Sequence, residues 1–252
     1  MPYQYASNRN FEDYASGRVL YALPGQPAFP VRLASEILQR ALGHWHSVSR
    51  EGCCRIYDPV CGTGYWLVAL GYLHWEFIAA IYASDINTEV LSVAEWNLAL
   101  LTLAGLERRI DEIETLLENY GKPSHAAALE SAHWFRQQLS QNLESHAIDI
   151  CVFQADATDS ISMGRTLEKQ SIDLVLADVP YGWRTQWAAT EERNQPETTK
   201  MLQALHPFLK PGSVVAIAAD KRQKIQSEDF QRLERFQIGK RRIEFWRPFF
   251  DE

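Results

Sequence analysis

The stretch LADVPYGWRTQW, Leu176 to Trp187, closes an apolar run with the carboxylate of Asp178, and Pro180 and Tyr181 follow at once. A carboxylate accepts hydrogen bonds from N–H groups, a proline fixes its own φ, and an aromatic ring stacks on a planar base. Side by side at a strand end, the three suit a site that grips a flat nitrogenous group by edge and face. Three other strand ends carry compatible chemistry. Asp58-Pro-Val-Cys61-Gly62-Thr63-Gly64 leads from an apolar run through a glycine turn into a helical pattern. Glycines there let the backbone approach a ligand, and the helix N-terminus offers unpaired N–H groups. Asp85 lies 21 residues beyond Gly64 (85 − 64), where an acid can accept from ribose hydroxyls of NAD or S-adenosylmethionine. Asp156 ends a further run, where a carboxylate can accept from an adenine amino group. Each alone also reads as a packing turn or a helix cap. Together they mark one crevice, because ligands of open α/β sheets bind at the carboxyl ends of the strands.

The elements that must position these residues follow from periodicity. Near-continuous apolar runs at 54–60, 77–86, 148–156, 171–180 and 213–221 fit strands buried on both faces, as in a parallel sheet. Helices are predicted over 64–74, 87–103, 160–169 and 192–209, which gives alternating βα units and a doubly wound α/β sheet. Residues 29–45 read as an amphipathic helix with Pro30 near its first turn. Residues 105–147 carry helical spacing broken by YGKPSH and predict a helical hairpin inserted before the third strand. The end, RFQIGKRRIEFWRPFF, predicts two antiparallel strands around Gly239–Lys240, completing a mostly parallel, seven-stranded sheet. With no internal repeat or linker, residues 1–252 are expected to form a single domain, with an N-terminal helical extension over about 1–50 and the insertion over about 105–147.

Composition narrows the partners. The formal charge of −7 argues against blanket nucleic-acid binding, but it is unevenly spread. Between Lys221 and Arg247 nine Lys or Arg face four Asp or Glu, whereas between Glu107 and Asp149 eight acids face four bases. The locally basic C-terminal quarter suits phosphate contacts. No apolar run of about 18 residues marks a membrane span, and no basic-then-apolar leader opens the sequence, so a cytoplasmic protein without membrane partners is expected. The four cysteines, Cys53, Cys54, Cys61 and Cys151, show no metal-ligand spacing and predict reduced thiols; Cys53, Cys54 and Cys151 are expected to pack in the core. The seven histidines show no H-x-x-x-H pattern, so no metal site is expected.

Asp178-Val179-Pro180-Tyr181 resembles the [DN]-P-P-[YF] signature of class I methyltransferases that modify planar nitrogen, with Val179 in place of the first proline. An exocyclic amine is a poor nucleophile because its lone pair is delocalised into the ring. A carboxylate and main-chain carbonyls accepting its N–H bonds favour a pyramidal nitrogen, Pro180 keeps those acceptors aligned, and Tyr181 stacks on an extruded base. Rate then comes from orientation and charge placement.

In order and spacing, PGQPAFPVRLASEILQRAL, DPVCGTGY, ASDIN, LADVPYGWRTQW, YGKPS and ERFQIGKR are similar to the avilamycin-resistance rRNA methyltransferase (AviRa) family. The likeness spans most of the chain. It implies a Rossmann-like class I fold and methyl transfer from S-adenosylmethionine to a guanine of large-subunit (23S) ribosomal RNA, free or in a ribosomal particle; a monomer is expected. It implies cofactor binding by Asp58, Cys61, Gly62, Thr63, Gly64, Asp85 and Asp156, and catalysis by Asp178, Pro180 and Tyr181. The D-x-P-Y-G motif, shared with guanine-N2 enzymes, favours N2 over N1. Arg32, in the matching N-terminal block, is either a cofactor or RNA contact or a helix-surface residue. Rival readings keep the cofactor but change the substrate to DNA or a protein glutamine, or keep RNA binding without catalysis. A nicotinamide enzyme is disfavoured because Leu67 replaces the third glycine of G-x-G-x-x-G.

Overall fold

The computed structural model describes residues 3–48, 52–179 and 196–250. Seven strands form one sheet in the order β3-β2-β1-β4-β5-β7-β6. They are β1 (Cys54–Asp58), β2 (Ile78–Asp85), β3 (Asp149–Gln154), β4 (Ile172–Asp178), β5 (Leu209–Asp220), β6 (Phe230–Ile238) and β7 (Arg241–Pro248). The first five run parallel, and β7 pairs antiparallel to both β5 and β6.

Side chains alternate between two cores because a strand's period is two. On one face Ile56, Leu174, Leu176, Val214 and Phe245 pack beneath α1 (Val31–His46), α2 (Tyr65–Leu73) and the hairpin of α4 (Leu103–Tyr120) and α5 (Pro123–Leu143). On the other, Tyr57, Val175, Val215, Ile217 and Trp246 meet the short α6 (Ser160–Met163) and α7 (Glu197–Leu205). α3 (Thr88–Ala99) follows β2, packing on β2, β3 and α2. Central β4 is apolar except for its acids. Asp173 sits near its start, where its buried carboxylate accepts from Arg55 N–H at 2.9 Å and from Lys210 Nζ at 2.9 Å.

The parallel sheet, the order of its elements and the C-terminal hairpin follow the sequence reading, with four local differences, the first being that the helix expected over 87–103 ends at Ala99 and a new helix opens at Leu103. The helix expected over 160–169 stops at Met163, and Gly164 follows, where a Cβ would stand only 3.0 Å from the Ser160 carbonyl oxygen. The helix expected to run to 209 ends at Leu205; Leu209 already pairs with Ile172, and a register shift on β4 accommodates Pro211 and Gly212 early in β5. Among the described residues of the N-terminal segment only Val31–His46 and one 3-10 turn at Glu12–Tyr14 are helical; ahead of α1, Pro24, Gly25, Pro27 and Pro30 interrupt helical hydrogen bonding. Apart from that turn, residues 3–30 form an irregular strap of bends and turns. YGKPSH does divide α4 from α5: Gly121 takes a left-handed φ of 58° after α4, and Pro123 opens α5.

Glu36 anchors that strap. Its buried carboxylate accepts from the N–H groups of Gln4 (2.8 Å), Tyr5 (2.9 Å) and Ala6 (2.7 Å) and from Arg40 Nε (2.7 Å). Arg32 also serves the strap, donating to the Ala6 carbonyl at 3.1 Å and stacking 4.0 Å from the Tyr3 ring centroid. Of the cysteines expected in the core, Cys54 is buried and Cys151 half-buried, but Cys53 is exposed because it precedes β1. No single described helix is long and apolar enough to cross a membrane.

Candidate active site

A cleft of about 740 Å³ opens along the carboxyl ends of the parallel strands. Asp58 ends β1, Asp85 ends β2, Asp156 follows β3 by two residues, Asp178 ends β4 and Asp220 ends β5, and all five border it. Cys61, Gly62 and Thr63 border it as well. Gly64 does not. It caps α2 in a left-handed conformation (φ 67°), and a Cβ there would sit 3.4 Å from Ala94 of α3. Its task is to turn the chain and let α2 approach α3. Pro180 and Tyr181, with Trp183 and Trp187, lie outside the described residues.

The glycine turn is tied to the neighbouring strand. Asp85 Oδ2 accepts the Gly62 N–H at 3.0 Å, and Oδ1 accepts the Asn87 N–H at 3.0 Å. Burial raises the Asp85 carboxyl above its usual range, partly offset by these N–H groups. Asp156 Oδ1 accepts from Thr158 N–H at 2.8 Å and from its hydroxyl at 2.7 Å, which fixes the carboxylate at the cleft wall.

Asp58 is differently placed. It is 1% exposed, accepting the Trp66 indole N–H at 2.6 Å and the Val60 N–H at 3.0 Å. Burial pushes its carboxyl up to about 8 against those two donors, with Asp85 and Asp178 adding to the rise. Trp66 in turn packs on Phe29, ring centroids 4.8 Å apart, so Asp58 organises the wall between the turn and the strap.

Asp178 keeps 29% of its side chain exposed, and its Oδ1 has no hydrogen-bond partner among the described residues. Burial raises its carboxyl to about 7, while Arg241 on β7, with Nε 4.0 Å from Oδ1, pulls the other way. A group that changes protonation near neutrality, in a cleft and unsatisfied, is suited to take up a proton.

Acids and bases meet within the cleft. Among the described residues five aspartates and Glu197 border it together with Arg222, Lys240 and Arg241; Arg222, just after β5, has its Nε 3.3 Å from Asp220 Oδ1, and Arg241, opening β7, faces Asp178. Among the described residues no group of His, Cys, Asp and Glu is set to hold a metal ion.

Sequence reasoning missed the cleft's other wall. Gly25, Gln26, Pro27 and Phe29 of the strap, and Arg222, Lys240 and Arg241, reach it only through long-range packing. Asp220 did carry a signal, since it ends an apolar run as the other acids do.

Comparison with known proteins places the chain among rRNA-modifying enzymes. A family profile described as rRNA methyltransferase AviRa matches residues 1–241. The chain is 38% identical over 240 residues, 95% of its length and 93% of the relative's, to a 23S rRNA (guanine(2535)-N(1))-methyltransferase of Streptomyces viridochromogenes. A solved structure of the rRNA methyltransferase AviRa from the same organism superposes with a TM-score of 0.86 at 35% identity, covering 98% of this chain and 96% of that one. TrmN from Thermus thermophilus shares the fold at a TM-score of 0.52 and 16% identity, over 90% of this chain and 51% of that one.

Proposed function

The chain belongs to the AviRa family of rRNA methyltransferases, and on that premise we propose that it transfers a methyl group from S-adenosylmethionine to N1 of a guanine in 23S rRNA. The D-x-P-Y-G motif favoured N2. N1 is preferred here because the relative that matches nearly the whole chain is named for N1.

The cleft fits the cofactor. An acid beside a glycine turn suits a ribose diol, and Asp156 with Ile86 and Val90 suits an adenine. When bound, S-adenosylmethionine supplies a methyl group on a positively charged sulfur. Gly62, Thr63 and Asp85 would hold the ribose side, and Asp156 would take the adenine side. Cys61 and Asp58 shape the turn that carries them.

The single observation that carries the reading is the buried Oδ1 of Asp178, unsatisfied among the described residues and bordering the same cleft as Asp85. Guanine N1 holds a proton at neutral pH, and its lone pair becomes available only as that proton leaves. Asp178 accepts the N1–H bond, orients the nitrogen and takes the proton as the new N–C bond forms. Pro180 and Tyr181 complete the motif on the sequence reading, the ring receiving the face of an extruded base.

The test is transfer of labelled methyl to purified 23S rRNA, followed by nucleoside analysis. 1-Methylguanosine is expected; label that stays off guanine contradicts the reading.

A further inference from the structure

Arg241 opens β7 and lines the cleft together with Asp178. Its guanidinium carbon stands 4.9 Å from the Phe29 ring centroid, so β7 and the strap together fix its position. With Nε 4.0 Å from Asp178 Oδ1, the two charges attract, but the gap exceeds a hydrogen bond. A carboxylate only accepts and a guanidinium only donates. A ligand edge that engages both must therefore present a donor beside an acceptor.

Guanine offers such an edge, since N1–H and the O6 carbonyl stand on neighbouring ring atoms. As the N1 proton leaves, negative charge spreads onto O6. A fixed donor at that oxygen is worth more in the transition state than in the ground state, which is what accelerates a reaction. We propose that Arg241 is a second catalytic residue of this site, donating to the guanine O6 while Asp178 takes the N1 proton. The proposal rests on the guanine-N1 reading above.

The step balances. The N1–H bond breaks with its proton passing to the carboxylate, and its electron pair forms the N1–C bond. The C–S bond breaks with its pair remaining on sulfur, which becomes a neutral thioether. O6 returns to a carbonyl, and Arg241 stays charged throughout.

The experiment is a chemical double-mutant cycle. Wild-type protein methylates 23S rRNA and the product is mapped; the RNA is then rebuilt by splinted ligation with guanine or 6-thioguanine at that nucleotide. Single-turnover rates at saturating S-adenosylmethionine are measured for wild type, Arg241→Gln and Arg241→Lys. Arg241→Gln should slow the natural base about 100-fold, and Arg241→Lys should restore part of that loss. Sulfur, a weaker acceptor, should cost the wild type at least about tenfold more than it costs Arg241→Gln. Equal sulfur penalties in the two proteins, or an unchanged Arg241→Gln rate, overturn the proposal. Thermal melts and cofactor titration check folding, and if Arg241→Gln does not fold, the same cycle is read with Arg241→Met, which keeps the apolar stem against Phe29 and has no donor. Methylation at N1 with additive losses removes this role alone. A wild type that methylates no guanine N1 removes the proposed function as well.

Discussion

The backbone N–H of Gly62 donates to the carboxylate of Asp85 at 3.0 Å, joining the turn after β1 to the end of β2. One carboxylate thus holds the glycine turn in place and presents its remaining lone pairs to the cleft. Asp85→Ala removes both functions at once. Loss of a charge-assisted hydrogen bond costs about 1.5–3 kcal/mol, so affinity for S-adenosylmethionine should fall about 10- to 150-fold. Calorimetric titration checks this, and an unchanged Kd would remove Asp85 from the binding site.

The position of Asp178 predicts an acid limb in the rate profile. Its carboxyl is raised to about 7, by burial and against Arg241, and only the ionised form can accept the proton of N1–H. The rate should climb as pH rises through about 7 and level off above it. Asp58, raised to about 8, borders the same cleft, so the residual activity of Asp178→Asn serves as the control. That variant should lose the inflection near 7, and retention of it would assign the limb to another group.

The same shift makes a stability prediction of opposite sense. A carboxyl whose folded-state pKa lies above its unfolded value binds more protons folded, so its contribution to stability declines as pH rises from about 4 to about 7. Asp178→Asn removes the cost of holding a buried charge, and burial outweighs the attraction of Arg241. The variant should melt above wild type at pH 8, with the gap closing towards pH 5. A scan of Tm against pH decides it, and a lower Tm at pH 8 would mean that the pairing with Arg241 dominates.

Glu36 should govern whether the strap stays docked. Burial raises its carboxyl, but the N–H groups of Ala6, Gln4 and Tyr5 together with Arg40 more than offset that, leaving it below its usual value. Its contribution is therefore present above the unfolded pKa and fades as pH falls through the folded one. Glu36→Ala leaves Arg40 and three N–H groups without their buried acceptor and should cost about 3–5 kcal/mol in urea unfolding. Hydrogen exchange at residues 4–6 should speed up with it. Unchanged exchange there would mean that the strap is held by its other contacts, such as Tyr65 Oη donating to the Tyr14 carbonyl at 2.5 Å.

Asp58, Asp85, Asp156 and Asp178 were legible because each ends its own apolar run, and a parallel sheet brings those ends together whatever the loops do. The roles of Asp58 and Gly64 were less so. Whether an acid at a strand end faces a ligand or a tryptophan eight positions on depends on the rotamer of Trp66, which the spacing does not encode. The hairpin of α4 and α5 could be read because Gly121 and Pro123 are local stop and start signals. The strap could not be, since its hydrogen bonds go to Glu36, Asn97 and Ser131, far away in sequence. Arg241 and Phe29 meet for the same reason, through the antiparallel return of β7 and the long-range docking of the strap. A charge count shows a basic tail without showing which arginine faces Asp178.

The most direct measurement is a single-turnover methylation of 23S rRNA by wild type and Asp178→Asn, with the modified nucleoside identified and cofactor binding measured in parallel. The account predicts 1-methylguanosine at one position, a rate about 100- to 10,000-fold lower for the variant, and an unchanged Kd for S-adenosylmethionine. Methyl found on another atom, or a variant that turns over at the wild-type rate, would contradict it.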